Sequence, residues 1–476
     1  MSLRSSLAYF AFRGASGAMA VLTVSVFARL LGPEGYAHWT LAVVLSSFVA
    51  GVLIQPIHAT LARFLPRPGG AELVTTFGRL LLVAAGIVTV FALVLDALIP
   101  AWLPAGILAL ALALGLSQGV FDFAAQHCSS TLQARRYGRL YLFKSVVALA
   151  LGYAVLTQGW GAAGAVFAVC AAYLLATAVF GRAAWVAVVR GRFSAASLPE
   201  IRAYALPVGF ALLTGALLQW GDRLVLAAHV APAQLGAYGA AGDLAQQGFG
   251  LLFSAFHLAW FPRLISAWER RAPDLQAQLD RYAQLSLLVM VPATLGFALV
   301  AHELAGALLG SAFRDDAARV MPWLALAALL GGLRTYLFDL PLHLGQRMGV
   351  QSAIAGGCAL LGVTLNLLLV PRYGIAAAAA VAVLAQGCGC VASYWVGRRT
   401  LSPRWAMRDL GAVGAGALGM ALAVMAVPMS AGATLLVATT LAAKVLLGGL
   451  VYALAMLAFN TAGLRTLILR CLRPGV

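Results

Sequence analysis

The sequence predicts an all-α polytopic membrane protein of about fourteen transmembrane helices, arranged as two parallel six-helix repeats and a C-terminal helix pair. Three observations predict it. Over 476 residues the chain is 62% hydrophobic and only 10% charged, with a mean hydropathy of +0.93; no soluble domain of that size covers so much apolar surface. The apolar residues fall in runs of roughly 20, the length a helix needs to cross hydrocarbon, and the polar breaks between them are too short for a folded domain. Basic residues collect in alternate breaks, which is how a chain that crosses a membrane repeatedly is charged.

Taken in order, spans are expected near residues 8–30, 37–62, 80–99, 103–128, 141–156 and 161–185. A second set lies near 204–226, 236–260, 283–301, 321–344, 353–369 and 375–396, and a last pair near 410–427 and 433–459. The implied domains are an N-terminal six-helix lobe (1–189), a basic cytoplasmic linker (190–202), a C-terminal six-helix lobe (203–397) and a two-helix extension with a tail (398–476). Arg13 interrupts the first apolar run, which then continues to full span length, so it does not read as a cleaved signal peptide. The six cysteines show no ligand or disulfide spacing, and no metal or other cofactor is expected.

The net charge of +17 does not point to nucleic acid, because the cations form neither a face nor a tail. Arg63, Arg67 and Arg79 share one connection, and Arg135, Arg136, Arg139 and Lys144 the next of that side. Arg182, Arg190, Arg192 and Arg202 come after them, then Arg263, Arg270, Arg271 and Arg281, then Arg347, then Arg398, Arg399, Arg404 and Arg408, and finally Arg465, Arg470 and Arg473. The intervening loops near 98–103, 157–161, 229–235 and 428–432 carry almost none, and the loop 302–319 sets Arg314 and Arg319 beside Glu303, Asp315 and Asp316. Both termini are therefore expected in the cytoplasm. Trp220, Trp260, Trp323 and Trp395 fall near span ends and read mostly as interfacial belts.

The halves of the chain echo one another. ARLLGPEGYAHWTLA with Tyr36 resembles AAHVAPAQLGAYGAAGDLA with Tyr238; Phe91-Ala-Leu-Val94 returns as Phe297-Ala-Leu-Val300; LTQGWGAAGAVFA returns as LVPRYGIAAAAAVA, setting Gly161 against Gly374. Three matches in one order define a repeat of six spans. Six is even, so both copies enter the membrane from the same side, and such repeats enclose a cavity that opens alternately to either face by rocking.

The stretch from Tyr204 to Pro262 reads as two apolar helices with Asp222 and Arg223 adjacent near the end of the first. A charge at mid-bilayer costs about 2.5–3.5 kcal/mol on insertion scales, so each intramembrane charge is a candidate for function. Arg13, Arg223 and Arg334 are the candidate cavity cations, able to grip phosphate oxygens with a planar fork; snorkelling to the interface is the plainer role for Arg13. Asp222, Asp122, Asp243 and Asp339 are the candidates for ion pairing or coupling, and Lys444 marks the last span. An excess of intramembrane arginine favours an anionic cargo. Asp315-Asp316 is the one acidic pair available to a membrane enzyme, and it reads better as a solvated helix start. No Gly-rich phosphate loop and no HExxH motif is present.

An ordered set of motifs resembles a known family. Leu31-Gly32-Pro33-Glu34-x-Tyr36 comes after the first span; Pro207 and Asp222-Arg223 lie in the seventh; Gly236-x-Tyr238 opens and Pro262 closes the eighth; Asn366 and Pro371-x-Tyr373-Gly374-Ile375 join the eleventh and twelfth. Over nearly the whole chain this pattern is similar to the Wzx-type oligosaccharide flippases of the polysaccharide transporter family, within the superfamily of the lipid II flippases and MATE exporters. The resemblance implies a two-lobed, V-shaped inner-membrane transporter. It would flip a polyprenyl-diphosphate-linked oligosaccharide to the periplasmic leaflet, its cationic cavity holding diphosphate and sugar while the tail stays in membrane lipid. Partners would be a polysaccharide polymerase and export proteins, with no nucleic acid. One departure stands out: relatives often carry a basic residue a few positions after the Gly-x-Tyr of the eighth span, where this chain has Asp243, leaving Arg334 as the substitute cation. The alternatives are a MATE-like cation-coupled antiporter of small molecules and a membrane-embedded glycosyl-transfer or polymerisation enzyme.

Overall fold

The computed structural model describes residues 3–66, 73–96, 103–428, 434–463 and 465, and among these residues it is helical with no strand. Twelve helices are long and apolar enough to cross a membrane. Two of them are each a pair of helices joined at a glycine break, so fourteen spans result among the described residues. The helix Leu3–Val49 breaks at Gly32 (φ 68°, ψ 175°) into α1 and α2. A side chain would strain that backbone, and Pro33 then starts α2 with its φ already helical. α2 continues through a π turn, Ala50–Ile54, into Gln55–Phe64. Next come α3 (Leu73–Asp96), α4 (Ile107–Ser130), α5 (Ala134–Leu156) and α6 (Gly161–Arg190).

The following spans are α7 (Leu198–His229), α8 (Pro232–Glu269), α9 (Leu275–Leu299) and α10 (Ser311–Leu344). A π turn, Arg334–Phe338, interrupts α10. The helix Met348–Gly397 breaks at Gly374 (φ 60°, ψ −143°) into α11 and α12. α13 (Met407–Ala426) and α14 (Thr434–Ala458) complete the set. Gly161 and Gly374, paired by the sequence repeat, share the same left-handed φ, 59° and 60°. Each stands at the start of the last helix of its repeat.

Two expectations need correction. α8 does not close at Pro262 but runs through it to Glu269. α5 starts at Ala134, so Lys144 lies in the third turn of a membrane helix rather than in the basic connection. Both have one cause. A helix need not end where the hydrocarbon ends, because arginine is a good helix former and its long stem reaches the interface from a helical backbone.

The chain forms two compact units, Met1–Ala240 with Ala355–Ala378 and Ala241–Ile354 with Ala379–Val476. In the first, α1 packs on α5, with Ser16 Oγ 2.9 Å from Ser145 Oγ and Gly152 bare beneath the Phe27 ring. The starts of α2 and α8 press together, and a Cβ on Gly236 would fall 1.8 Å from the Pro33 carbonyl oxygen. The two copies of the Leu-Gly-containing motif thus meet backbone to backbone.

In the second unit the terminal pair packs on α9: the Tyr452 hydroxyl donates to the Leu288 carbonyl at 2.8 Å. The ammonium of Lys444 on α14 contacts Glu303, beyond the end of α9, at 2.5 Å, with both groups sealed from solvent. Removing one partner of such a pair leaves a buried charge and costs about 3–5 kcal/mol, whereas replacing both by apolar groups is near neutral. Lys444→Met or Glu303→Leu alone should therefore lower the thermal unfolding midpoint of the purified protein, and the double variant should recover most of the loss. Equal midpoints for all variants would show that the pair holds nothing.

Candidate functional site

The α7–α8 hairpin explains why an acid sits at the end of one helix and a tyrosine at the start of the next. Asp222 Oδ1 accepts the backbone N–H of Arg223 at 2.8 Å. Asp222 Oδ2 accepts the hydroxyl of Tyr238, a fully buried residue on α8. The carboxylate thus clamps the two helices across their short connection. Arg223 is also buried, with its guanidinium over the Trp220 ring, 4.6 Å from the centroid. Planar guanidinium on an aromatic face holds a cation away from water without neutralising it. Trp220, expected as an interfacial residue, carries this arginine on its ring.

Asp122 on α4 lies in the same unit. Its Oδ2 accepts long hydrogen bonds from Gln55 (3.3 Å) and Gln118 (3.5 Å), and Gln55 stands directly after the π turn of α2. From α5 it faces Lys144, whose ammonium lies 5.4 Å from the Tyr173 ring centre. Arg13 lies in α1, but its side chain is outside the described residues.

The second unit holds Arg334, Asp339 and Asp243. Arg334 opens the π turn of α10, and its Nε has no hydrogen-bond partner among the described residues. Asp339, the residue closing that turn, is buried; Ser393 of α12 donates to Oδ1 at 2.6 Å and Gln351 of α11 to Oδ2 at 3.2 Å. Gln351 also lies 3.3 Å from Nε2 of His343. Asp243 is partly buried on α8. Asp315 and Asp316 occupy the first turn of the helix Arg314–Leu333, where carboxylates complement the helix dipole.

Residues missed in the sequence are the neutral partners, Gln55, Gln118, Gln351 and Ser393, together with Lys144. Glutamine and serine inside an apolar run are themselves a signal, because a buried polar group must find a partner.

A helical membrane bundle whose interior holds arginines and carboxylates has the architecture of a membrane transporter. Residues 26–318 match the family described as "Polysaccharide biosynthesis protein", and the chain belongs to that family. Among solved structures it is similar to the lipid II flippase MurJ in an inward closed conformation. The TM-score is 0.74 at 12% identity, over 98% of this chain and 100% of that one. It is also similar to an outward-facing multidrug resistance MATE transporter of the MOP superfamily, with TM-score 0.57, 15% identity and 83% and 95% of the two chains covered. A MOP superfamily transporter from Pyrococcus furiosus gives 0.54 at 16% identity, over 83% and 94%. No curated protein matches the sequence. These likenesses establish the fold, one used by transporters rather than by enzymes.

Tyr238→Phe removes the donor and leaves a buried carboxylate oxygen unsatisfied, at a cost of about 1–3 kcal/mol. Its thermal unfolding midpoint should fall, while Tyr36→Phe, on the other copy of the motif, serves as the comparison. An unchanged midpoint for Tyr238→Phe would show that this hydrogen bond does not hold the hairpin.

Proposed function

We propose that the protein flips a polyprenyl-diphosphate-linked oligosaccharide from the cytoplasmic to the periplasmic leaflet of a bacterial inner membrane, by alternating access, during assembly of a surface polysaccharide. The observation that carries this reading is the conjunction of family and length. The family is one of polysaccharide biosynthesis, and the fold extends to a lipid II flippase over 98% of the chain, against 83% for the MATE transporters. Of 476 residues, 83% is about 395, the length of α1–α12, which end at Gly397.

The cargo would be anionic at its diphosphate, and Arg223 supports that reading. It is a buried guanidinium stacked on Trp220 rather than spread on the surface. In this scheme Arg223, Arg334 and Arg13 bind diphosphate and sugar, the polyprenyl tail remains in lipid, and both termini lie in the cytoplasm. A polymerase and export proteins would take the delivered sugar. The buried carboxylate Asp339 favours a second reading, a cation-coupled antiporter of small molecules, which would depend on its acids and not on its arginines.

The test is leaflet-resolved detection of lipid-linked oligosaccharide in cells lacking the protein. Wild type should relieve an accumulation in the cytoplasmic leaflet. At equal expression Arg223→Ala, Arg334→Ala and Arg13→Ala should each fail to do so, with flipping reduced about ten- to hundred-fold, as loss of a charge-assisted phosphate contact implies. Full rescue by all the variants would confine the arginines to structure. No accumulation in the deletion would sink the flippase reading.

A further inference from the structure

The hairpin of α8 and α9 encloses a cavity of about 1040 Å³ in the second unit, lined by none of the residues in the transport scheme above. Its lining starts at Trp260, where the apolar part of α8 gives way to mixed sequence, and continues through the end of α8, the turn after it and the start of α9. That turn is tight. The Ala272 N–H reaches back to the Ala267 carbonyl at 2.8 Å, with Arg271 in the left-handed region (φ 50°), so α9 begins beside the helix it follows. α8 has 38 residues, whereas a span of hydrocarbon about 30 Å thick takes only about 20. Its last turns therefore project beyond the hydrocarbon. Trp260 has the place of an interfacial belt residue, which puts the cavity at the depth of lipid headgroups.

The charges around the cavity are unevenly satisfied. Arg263, Arg270 and Arg281 line it and are exposed, and their side chains have no ion pair or hydrogen bond among the described residues. Arg263 lies over the Trp260 ring, 5.9 Å from its centroid. The carboxylates of the lining are engaged elsewhere. Asp274 Oδ2 accepts the Gln278 amide at 2.9 Å. Asp280 Oδ1 accepts the Gln276 amide and the backbone N–H of Arg404, each at 2.7 Å. Gln276 also donates to the Ser402 carbonyl at 2.9 Å, so Asp280 ties the segment before α13 to α9. Guanidinium forks thus border the cavity with no acceptor from the protein, and phosphate oxygens are the acceptors their geometry suits.

A second feature points to a ligand with an apolar part. Gln284, at the edge of the cavity, also lines a narrow cleft walled by Leu287 of α9, Trp405, and Leu410 and Val413 of α13. A phosphate held by the arginines would have an apolar seam beside it, leading along two membrane helices.

We propose that this cavity binds the phosphate of a membrane lipid headgroup, with the lipid tail lying toward the α9–α13 seam. Two lipids carry that chemistry: a resident anionic phospholipid and the polyprenyl diphosphate of the cargo, docked before it crosses. The second source rests on the flippase reading and the first does not.

Native mass spectrometry of the purified full-length protein tests it, with phosphatidylglycerol, polyprenyl diphosphate and inorganic pyrophosphate added in turn. At least one of the lipids should bind, and Arg270→Gln with Arg281→Gln should weaken it about tenfold or more, as loss of charge-assisted contacts implies. Arg347→Gln with Arg399→Gln removes as many exposed cations from the same unit outside the cavity, and should leave binding unchanged. Asp274→Asn keeps the acceptor for Gln278 while removing a negative charge, and should tighten binding, which a purely structural residue would not do. Tighter binding of phosphatidylglycerol assigns the site to resident lipid, and tighter binding of polyprenyl diphosphate assigns it to the cargo. Equal effects of the two double variants would overturn the proposal, as would inorganic pyrophosphate binding as tightly as the lipids. A deletion strain with no oligosaccharide phenotype would overturn the flippase reading alone, and the phospholipid titration would still decide the site.

Discussion

Inside hydrocarbon a polar group finds no water, so each must be satisfied by the chain itself. That constraint organises this molecule. Hydroxyls in the spans turn back onto their own helix: Thr60 donates to the Pro56 carbonyl, Ser286 to Tyr282 and Thr294 to Met290. Among the described residues, the two longest helical segments leave helical φ and ψ at Gly32 and Gly374, where one span passes into the next. Acids that cannot be satisfied locally reach across helices, Asp222 to Tyr238 and Asp339 to Ser393 and Gln351. Groups whose partners are long, weak or missing are then exceptions to a rule the rest of the chain obeys, and exceptions in lipid mark function.

The same constraint determines what was legible in the sequence. Span number was legible because bilayer thickness sets the length of each apolar run. The break before α2 was legible in Gly32-Pro33, and the repeat in Gly161 and Gly374, which prove to share a positive φ near 60°. Helix ends were less so: composition marks where hydrocarbon stops, while hydrogen bonding carries α8 on to Glu269 and starts α5 at Ala134. Partner choice was least legible. Asp222 and Arg223 are neighbours in sequence, but nothing there shows that the carboxylate also takes the hydroxyl of a tyrosine on the next helix or that the guanidinium lies on Trp220. Helix crossing decides which side chains meet, and a crossing is not local information.

The intramembrane charges sort by what each can do with a proton. Asp222 is clamped by a hydroxyl and a backbone N–H, with the charge of Arg223 beside it. Arg223 keeps its charge in any state and suits a ligand that is itself always charged, such as a diphosphate. Lys444 and Glu303 are in contact and shut away, and changing one would strand the other. A transport cycle needs fixed charge to recognise its cargo and changeable charge to be driven. Arginine can serve only the first.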